Sequence, residues 1–195
     1  MRFVLLIVFM IGGCAQAQLL DEASLDTVKV YKSLEEALKN PEKVYYLKLK
    51  GEKLTEFPKE ILKFKNLNKL ELNKNKLTDI PEEIKELKYL QHLNLAKNAF
   101  VKLPKAICEL SNLKKLILNN NYIEGFPAEV EKLQKLEYID CWSNELEYFP
   151  ASMSRLTNLK ELDLREINIP DKKQAMLLVM LPNTKIHFSN SCGCE

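Results

Sequence analysis

Histidine, tryptophan and glycine are scarce in this chain, and each shortage removes a class of function. Two histidines, one tryptophan and five glycines stand among 195 residues. So few glycines form no glycine-rich phosphate loop, and no H-E-x-x-H pair is present for a zinc hydrolase. The spacing of His92 and His187 puts them four strand intervals apart, roughly 19 Å, too far to share a metal ion. No Ser-His-Asp or Cys-His set converges, so neither catalysis nor a cofactor or metal is expected. An excess of one charge is missing too. Twenty-nine basic against 27 acidic residues give a net charge of +2, which argues against a nucleic acid or an anionic membrane surface as partner.

What the chain has in abundance is rhythm. Blocks of 23 residues beginning at Leu67, Leu90, Leu113 and Leu136 repeat one skeleton, and Asn75, Asn98, Asn121 and Asn144 recur at the same interval. Pro58, Pro81, Pro104, Pro127 and Pro150 keep that interval as well, the first in a looser copy that begins at Val44. A register held over so many copies makes each block one structural unit stacked on the last. In the block from Leu113, Leu116, Leu118 and Ile123 are apolar because they face a shared interior. The third and fifth positions alternate outward, as a short strand requires. The asparagine turns the chain, and its amide can bond the backbone of neighbouring coils. The proline and Ile84, Ile107 or Val130 begin a return segment whose period looks helical.

The skeleton L-x-x-L-x-L-x-x-N-x-L resembles the leucine-rich repeat family over residues 44–188. Its second half, L-P-x-x-I-x-x-L, is similar to the 23-residue subtype found in many bacterial proteins and in some Ras-pathway scaffolds. The resemblance implies an α/β solenoid: a right-handed superhelix with a parallel sheet on the concave face and short helices on the convex face. It also implies binding of macromolecules in place of catalysis.

The ends differ in kind from the array. Residues 3–11 are nine apolar residues after Arg2, too few to span a bilayer, which takes about 20. They have the proportions of a secretory signal over residues 1–17. Two processing readings stand open. Ala15-Gln16-Ala17 before Gln18 fits a signal peptidase site, and Ile11-Gly12-Gly13-Cys14 resembles a bacterial lipobox, with Cys14 lipidated and the protein anchored without spanning. Residues 18–43 read as a tether followed by an N-terminal cap, in which Ser33 and Glu36 form a capping box for a helix over 34–39. The cap covers leucines that an open first coil would expose. Past the sixth coil a cap helix, residues 171–180, and a last edge strand, residues 185–188, are expected, then a tail over 189–195.

The five cysteines make no scaffold. Cys141 stands at a core position, and Cys108 lies on the return segment of a coil two units earlier, so the pair sits on opposite walls and should not bridge. Cys192 and Cys194 stay open between a local disulfide, a soft-metal pair and free thiols.

The register also lists the outward face of the sheet. It is basic at its N-terminal end and mostly acidic at its C-terminal end, where Asp140 lies. Between them is a patch of His92, Asn94, Ile117, Asn119, Tyr138 and Trp142, with Tyr122 at its rim. Exposed tryptophan and tyrosine are the types that most often dominate an interface. The expected function is a non-catalytic binding module of an exported bacterial protein, secreted, periplasmic or at the outer membrane, gripping a protein or glycan on the concave sheet. A structural surface protein without a specific ligand and an intracellular Ras-pathway-like scaffold are the alternatives.

Overall fold

The computed structural model describes residues 19–189. The signal expected over 1–17, Cys14, and Cys192 and Cys194 of the tail lie outside the described residues. Eight parallel strands form one open sheet in chain order: β1 (Val30–Tyr31), β2 (Tyr46–Lys48), β3 (Lys69–Glu71), β4 (His92–Asn94), β5 (Lys115–Ile117), β6 (Tyr138–Asp140), β7 (Glu161–Leu164) and β8 (Lys185–Phe188). Within the array each residue pairs with the one 23 positions on: Leu70 with Leu93, Leu93 with Leu116, Leu116 with Ile139. In β2 to β5 the centre of the strand is buried and its flanking residues are not, which is the alternation that the leucine spacing demands.

The return segments are 3-10 turns where the sequence period looked generically helical. Lys59–Lys63, Glu82–Glu86, Lys105–Glu109, Ala128–Lys132 and Ala151–Arg155 each follow their proline. Five residues are enough for the 2 Å rise of a 3-10 turn to cross the convex wall, and an i, i+3 spacing serves both helix types. Ile61, Ile84, Ile107, Val130 and Met153 point inward from these turns and are buried completely, facing the strand leucines across one continuous core.

The asparagines form the ladder that their spacing promised, and the geometry shows why no other side chain serves. The Nδ2 group of Asn121 donates to the carbonyls of Leu118 in its own coil (2.7 Å) and Leu95 in the coil before (3.1 Å), while its Oδ1 accepts the Phe100 N–H (3.2 Å). Asn98 and Asn144 repeat the arrangement one coil to either side. The residue just before each ladder asparagine, Lys74, Lys97, Asn120 and Ser143, has φ between 55 and 61°. L-residues pay sterically for that left-handed geometry, so the ladder bonds and the flanking strand hold it in place.

Both ends are capped. Beyond Pro170, α3 (Asp171–Met180) leads into β8 and buries Leu177 and Leu181 against the last coil. At the N-terminus Ser33 caps α2 (Leu34–Leu38) by accepting the Glu36 N–H at 3.2 Å. The tether reading is corrected upstream of this cap: residues 22–27 form a helix, α1 (Glu22–Thr27), whose N-cap Asp21 accepts the Ser24 N–H at 2.7 Å. Cys108 and Cys141 are unbridged and buried, and burial pushes the Cys108 thiol up to about 12 and the Cys141 thiol well above its ordinary value. Among the described residues no helix is long and apolar enough to cross a membrane, and no group of three His, Cys, Asp or Glu side chains converges.

Candidate concave binding surface

The outward positions of β2 to β7 make the concave surface, and its two ends are built differently. At the N-terminal end Glu71 of β3 gathers its neighbours. It accepts from the Tyr46 hydroxyl and pairs with the Lys48 ammonium at 2.8 Å, while Lys69 lies 4.5 Å from the centre of the Tyr46 ring. Burial, then Glu71, raises the Tyr46 hydroxyl above its usual range.

The candidate residues on β4 are covered in part. Helix α1 crosses this end of the sheet, and its Glu22 carboxylate reaches His92 Nε2 at 2.8 Å and Lys115 Nζ at 3.5 Å. Burial holds the His92 imidazole below its ordinary value, outweighing the Glu22 carboxylate that favours its charge. Between α1 and strands β3 to β5 a recess of about 250 Å³ remains, bordered by Glu22, Asp26, His92, Asn94, Lys115 and Ile117 among others. The approach of α1 is the feature that sequence reasoning missed. Its local signal was the Asp21 to Ser24 spacing of an N-cap.

The C-terminal end is open. Tyr138 and Asp140 of β6 stand beside Lys115 and Ile117 of β5 in register. Asp140 is nearly buried. It accepts from Asn119 Nδ2 at 2.5 Å and from the Trp142 N–H at 3.3 Å. One strand further on, Asp163 accepts the Arg165 N–H at 3.1 Å and is clasped by the Arg165 guanidinium at 2.6 Å. Asn94 does the same for the Ala96 N–H at 3.0 Å. Where the fifth position of a coil is Asn94, Asp140 or Asp163, it thus serves the backbone as well as the surface, since its side chain satisfies an N–H past the strand end.

Electrostatics separate the two carboxylates. Burial and then the neighbouring Asp163 raise Asp140 above the ordinary carboxylate value, its hydrogen bonds from Asn119 and Trp142 only partly opposing this. Asp163 feels burial too, but its bonds from Arg165 prevail and hold it low. Tyr138 is raised by burial and by this group of carboxylates.

Trp142 is only partly buried. It borders a recess of about 380 Å³ together with Arg165, Glu166, Phe188 and Ser189. Sequence reasoning placed the indole on the inner, concave curve of the sheet but did not single out Arg165 or Phe188 as its companions. The structure brings Ile117, Asn119, Tyr138, Asp140 and Trp142 together on and just beyond β5 and β6. His92 and Asn94 belong with the α1 recess, and Tyr122, though exposed, borders neither recess.

The fold and this surface can be set beside known proteins. Nothing among curated proteins matches the chain. Among solved structures, a leucine-rich repeat protein of Leptospira interrogans is 36% identical, with a TM-score of 0.66 over 74% of this chain and 36% of that one. Internalin C2 of Listeria monocytogenes is 25% identical, with a TM-score of 0.65 over 78% of this chain and 64% of that one. A plant peptide hormone receptor, RGFR1 in complex with RGF2, shares the fold at 24% identity, with a TM-score of 0.61 over 83% of this chain and 27% of that one. The chain therefore spans about a third of the Leptospira protein and just under two thirds of the Listeria one. A family model described as a leucine-rich repeat region matches residues 65–186, the stretch in which the strands pair 23 residues apart and the asparagine ladder runs. On that match, and on the asparagine and leucine geometry that accounts for it, the chain belongs to the leucine-rich repeat family.

Proposed function

We propose that the chain is a non-catalytic binding module of an exported bacterial protein, of the 23-residue repeat subtype, whose concave sheet grips a protein ligand through Trp142 and its neighbours. The observation that carries this reading is the accessible indole of Trp142 beside a recess, with Tyr138, Ile117 and Asn119 on the adjoining coils. An aromatic pair on a rigid sheet supplies a large contact area at little cost in side-chain freedom. The buried Asp140 and Asp163 fix the strand ends below them, so the surface is preorganised. The complex of RGFR1 with RGF2 supports binding by this fold, since that receptor is similar to this chain in fold. Export rests on residues 1–17. The mass of the mature N-terminus, beginning at Gln18 or at a lipidated Cys14, tests it.

The ligand reading is tested by affinity capture with the intact chain and with the Trp142→Ala, Tyr138→Ala double variant, followed by direct titration of the purified captured protein. The wild-type chain is expected to bind and the double variant to lose at least 30-fold in affinity, about 2 kcal/mol, which is the scale of an interface hot spot. Its unfolding midpoint should hardly move, because neither side chain belongs to the continuous core. Equal affinity in a folded double variant would remove the patch from the function.

A further inference from the structure

The segment that crosses the sheet is held by bonds of a kind that receptors use for peptides. The main chain of Leu20 is gripped on both sides: its N–H donates to Asn68 Oδ1 at 3.0 Å, and its carbonyl accepts from Gln91 Nε2 at 2.6 Å. Gln91 Nε2 also bonds Asn68 Oδ1 at 2.8 Å, so the two amides act as one clamp spanning two coils. Two residues on, the Glu22 carboxylate meets His92 and Lys115. Leu25 is buried, yet it is no part of the continuous core that stabilises the solenoid.

Charge fits this arrangement. Glu22 and Asp26 lie over the end of the sheet that carries Lys69, His92 and Lys115, and border the recess between them. The fit is incomplete in one respect. Gln91 is fully buried and its Oε1 has no hydrogen-bond partner among the described residues, so an acceptor beneath the segment is left over. A buried acceptor without a donor costs about 1–3 kcal/mol, and a ligand with an N–H at that point would satisfy it.

We propose that residues 19–27 are an internal occupant of a second peptide site, and that the site takes an acidic peptide segment of a partner protein once this occupant leaves. Asn68 and Gln91 hold the main chain of one apolar residue of the ligand. His92 and Lys115 receive a carboxylate two residues further along, and Leu25 marks where a second apolar side chain enters. Peptide recognition by main-chain bonds with side chains read in pockets is the general pattern that this arrangement follows. The site borders the Trp142 patch at Ile117 but does not depend on that patch being a binding surface.

The test uses a labelled peptide with the sequence of residues 19–27, titrated into the full chain by fluorescence anisotropy. The wild-type chain should bind it weakly, because its own segment competes at high effective concentration. A chain carrying Glu22→Lys and Leu25→Asp should bind it at least tenfold more tightly. Adding Lys115→Glu to that chain should abolish the gain, whereas adding Trp142→Ala should leave it unchanged. A folded Glu22→Lys, Leu25→Asp chain that binds no better than wild type overturns the proposal, as does a gain that Lys115→Glu leaves intact. Should the double variant fail to fold, the segment is a structural cap and the proposal is equally overturned. Native-state hydrogen exchange in the wild-type chain gives a second reading: the Leu25 amide should exchange by local opening, well before β4. Exchange of both only through global unfolding would contradict an occupant that can leave.

Discussion

Asn121→Ala should destabilise the chain by about 2–6 kcal/mol, more than any surface substitution on the same coil. The figure follows from what the amide leaves behind. The Phe100 N–H loses its acceptor and is buried without a partner, at about 1–3 kcal/mol. The Leu95 and Leu118 carbonyls lose one donor each but keep another, from Asn98 at 2.9 Å and Asn144 at 3.0 Å, so each lost bond costs only about 0.5–1.5 kcal/mol. Because stability along a stacked array is carried by nearest-neighbour contacts, a break at this central coil should also broaden the urea transition as the two halves uncouple. Asn121→Asp should be at least as harmful near neutral pH. It keeps the acceptor for Phe100, loses both donors and sets a charge against two carbonyls. Its carboxyl would then be raised in the folded state, so this variant alone should regain stability as the pH falls through that raised value. Urea titrations of both variants at two pH values check the effect. A change under 1 kcal/mol for Asn121→Ala would mean that water or relaxation replaces the ladder.

Phe126→Ala should cost about 3 kcal/mol, at the lower end of the range for a buried phenylalanine. The ring is 2% exposed and packs against Phe149 of the next coil at a centroid distance of 6.2 Å and an interplanar angle of 35°. Tilted pairs of this kind add to simple burial. Two local features set the size of the loss in opposite directions. Gly125 sits so close to the next coil that an added Cβ would lie 2.9 Å from both Cβ and the carbonyl oxygen of Tyr148, so the backbone there cannot collapse into the void. On the other side a groove of about 440 Å³ borders Phe126, and solvent can enter part of the space the ring vacates. Phe100→Ala, at a fully enclosed ring, should therefore cost more than Phe126→Ala by chemical denaturation, and the reverse order would show that the groove does not relieve the cavity.

The array was legible in the sequence because its physics is periodic. One asparagine every 23 residues has a repeated set of backbone partners, and the apolar positions alternate with the strand, so the parallel sheet and its register could be read directly. What escaped was aperiodic. Helix α1 is six residues long and is placed by contacts such as Gln91 with Leu20, 71 positions apart, which no local pattern announces. The 3-10 character of the return turns escaped because i, i+3 spacing does not separate it from a helix. The left-handed residues escaped because Lys, Asn and Ser share the position without a glycine signal. For the binding surface, alternation identified outward positions and so found Trp142. It could not show that Asn94 and Asp140 are engaged by neighbouring N–H groups, or that His92 is occupied by Glu22.

Trp142 offers the most direct measurement, because it is the only tryptophan and its fluorescence reports one position without ambiguity. If the 23-residue coils stack in parallel and turn this indole toward the open side of the sheet, acrylamide should quench the native protein to a substantial fraction of the extent seen in urea, with emission characteristic of a hydrated indole. An emission shifted to the blue, and untouched by acrylamide until the chain unfolds, would place the ring among the leucines and contradict the account.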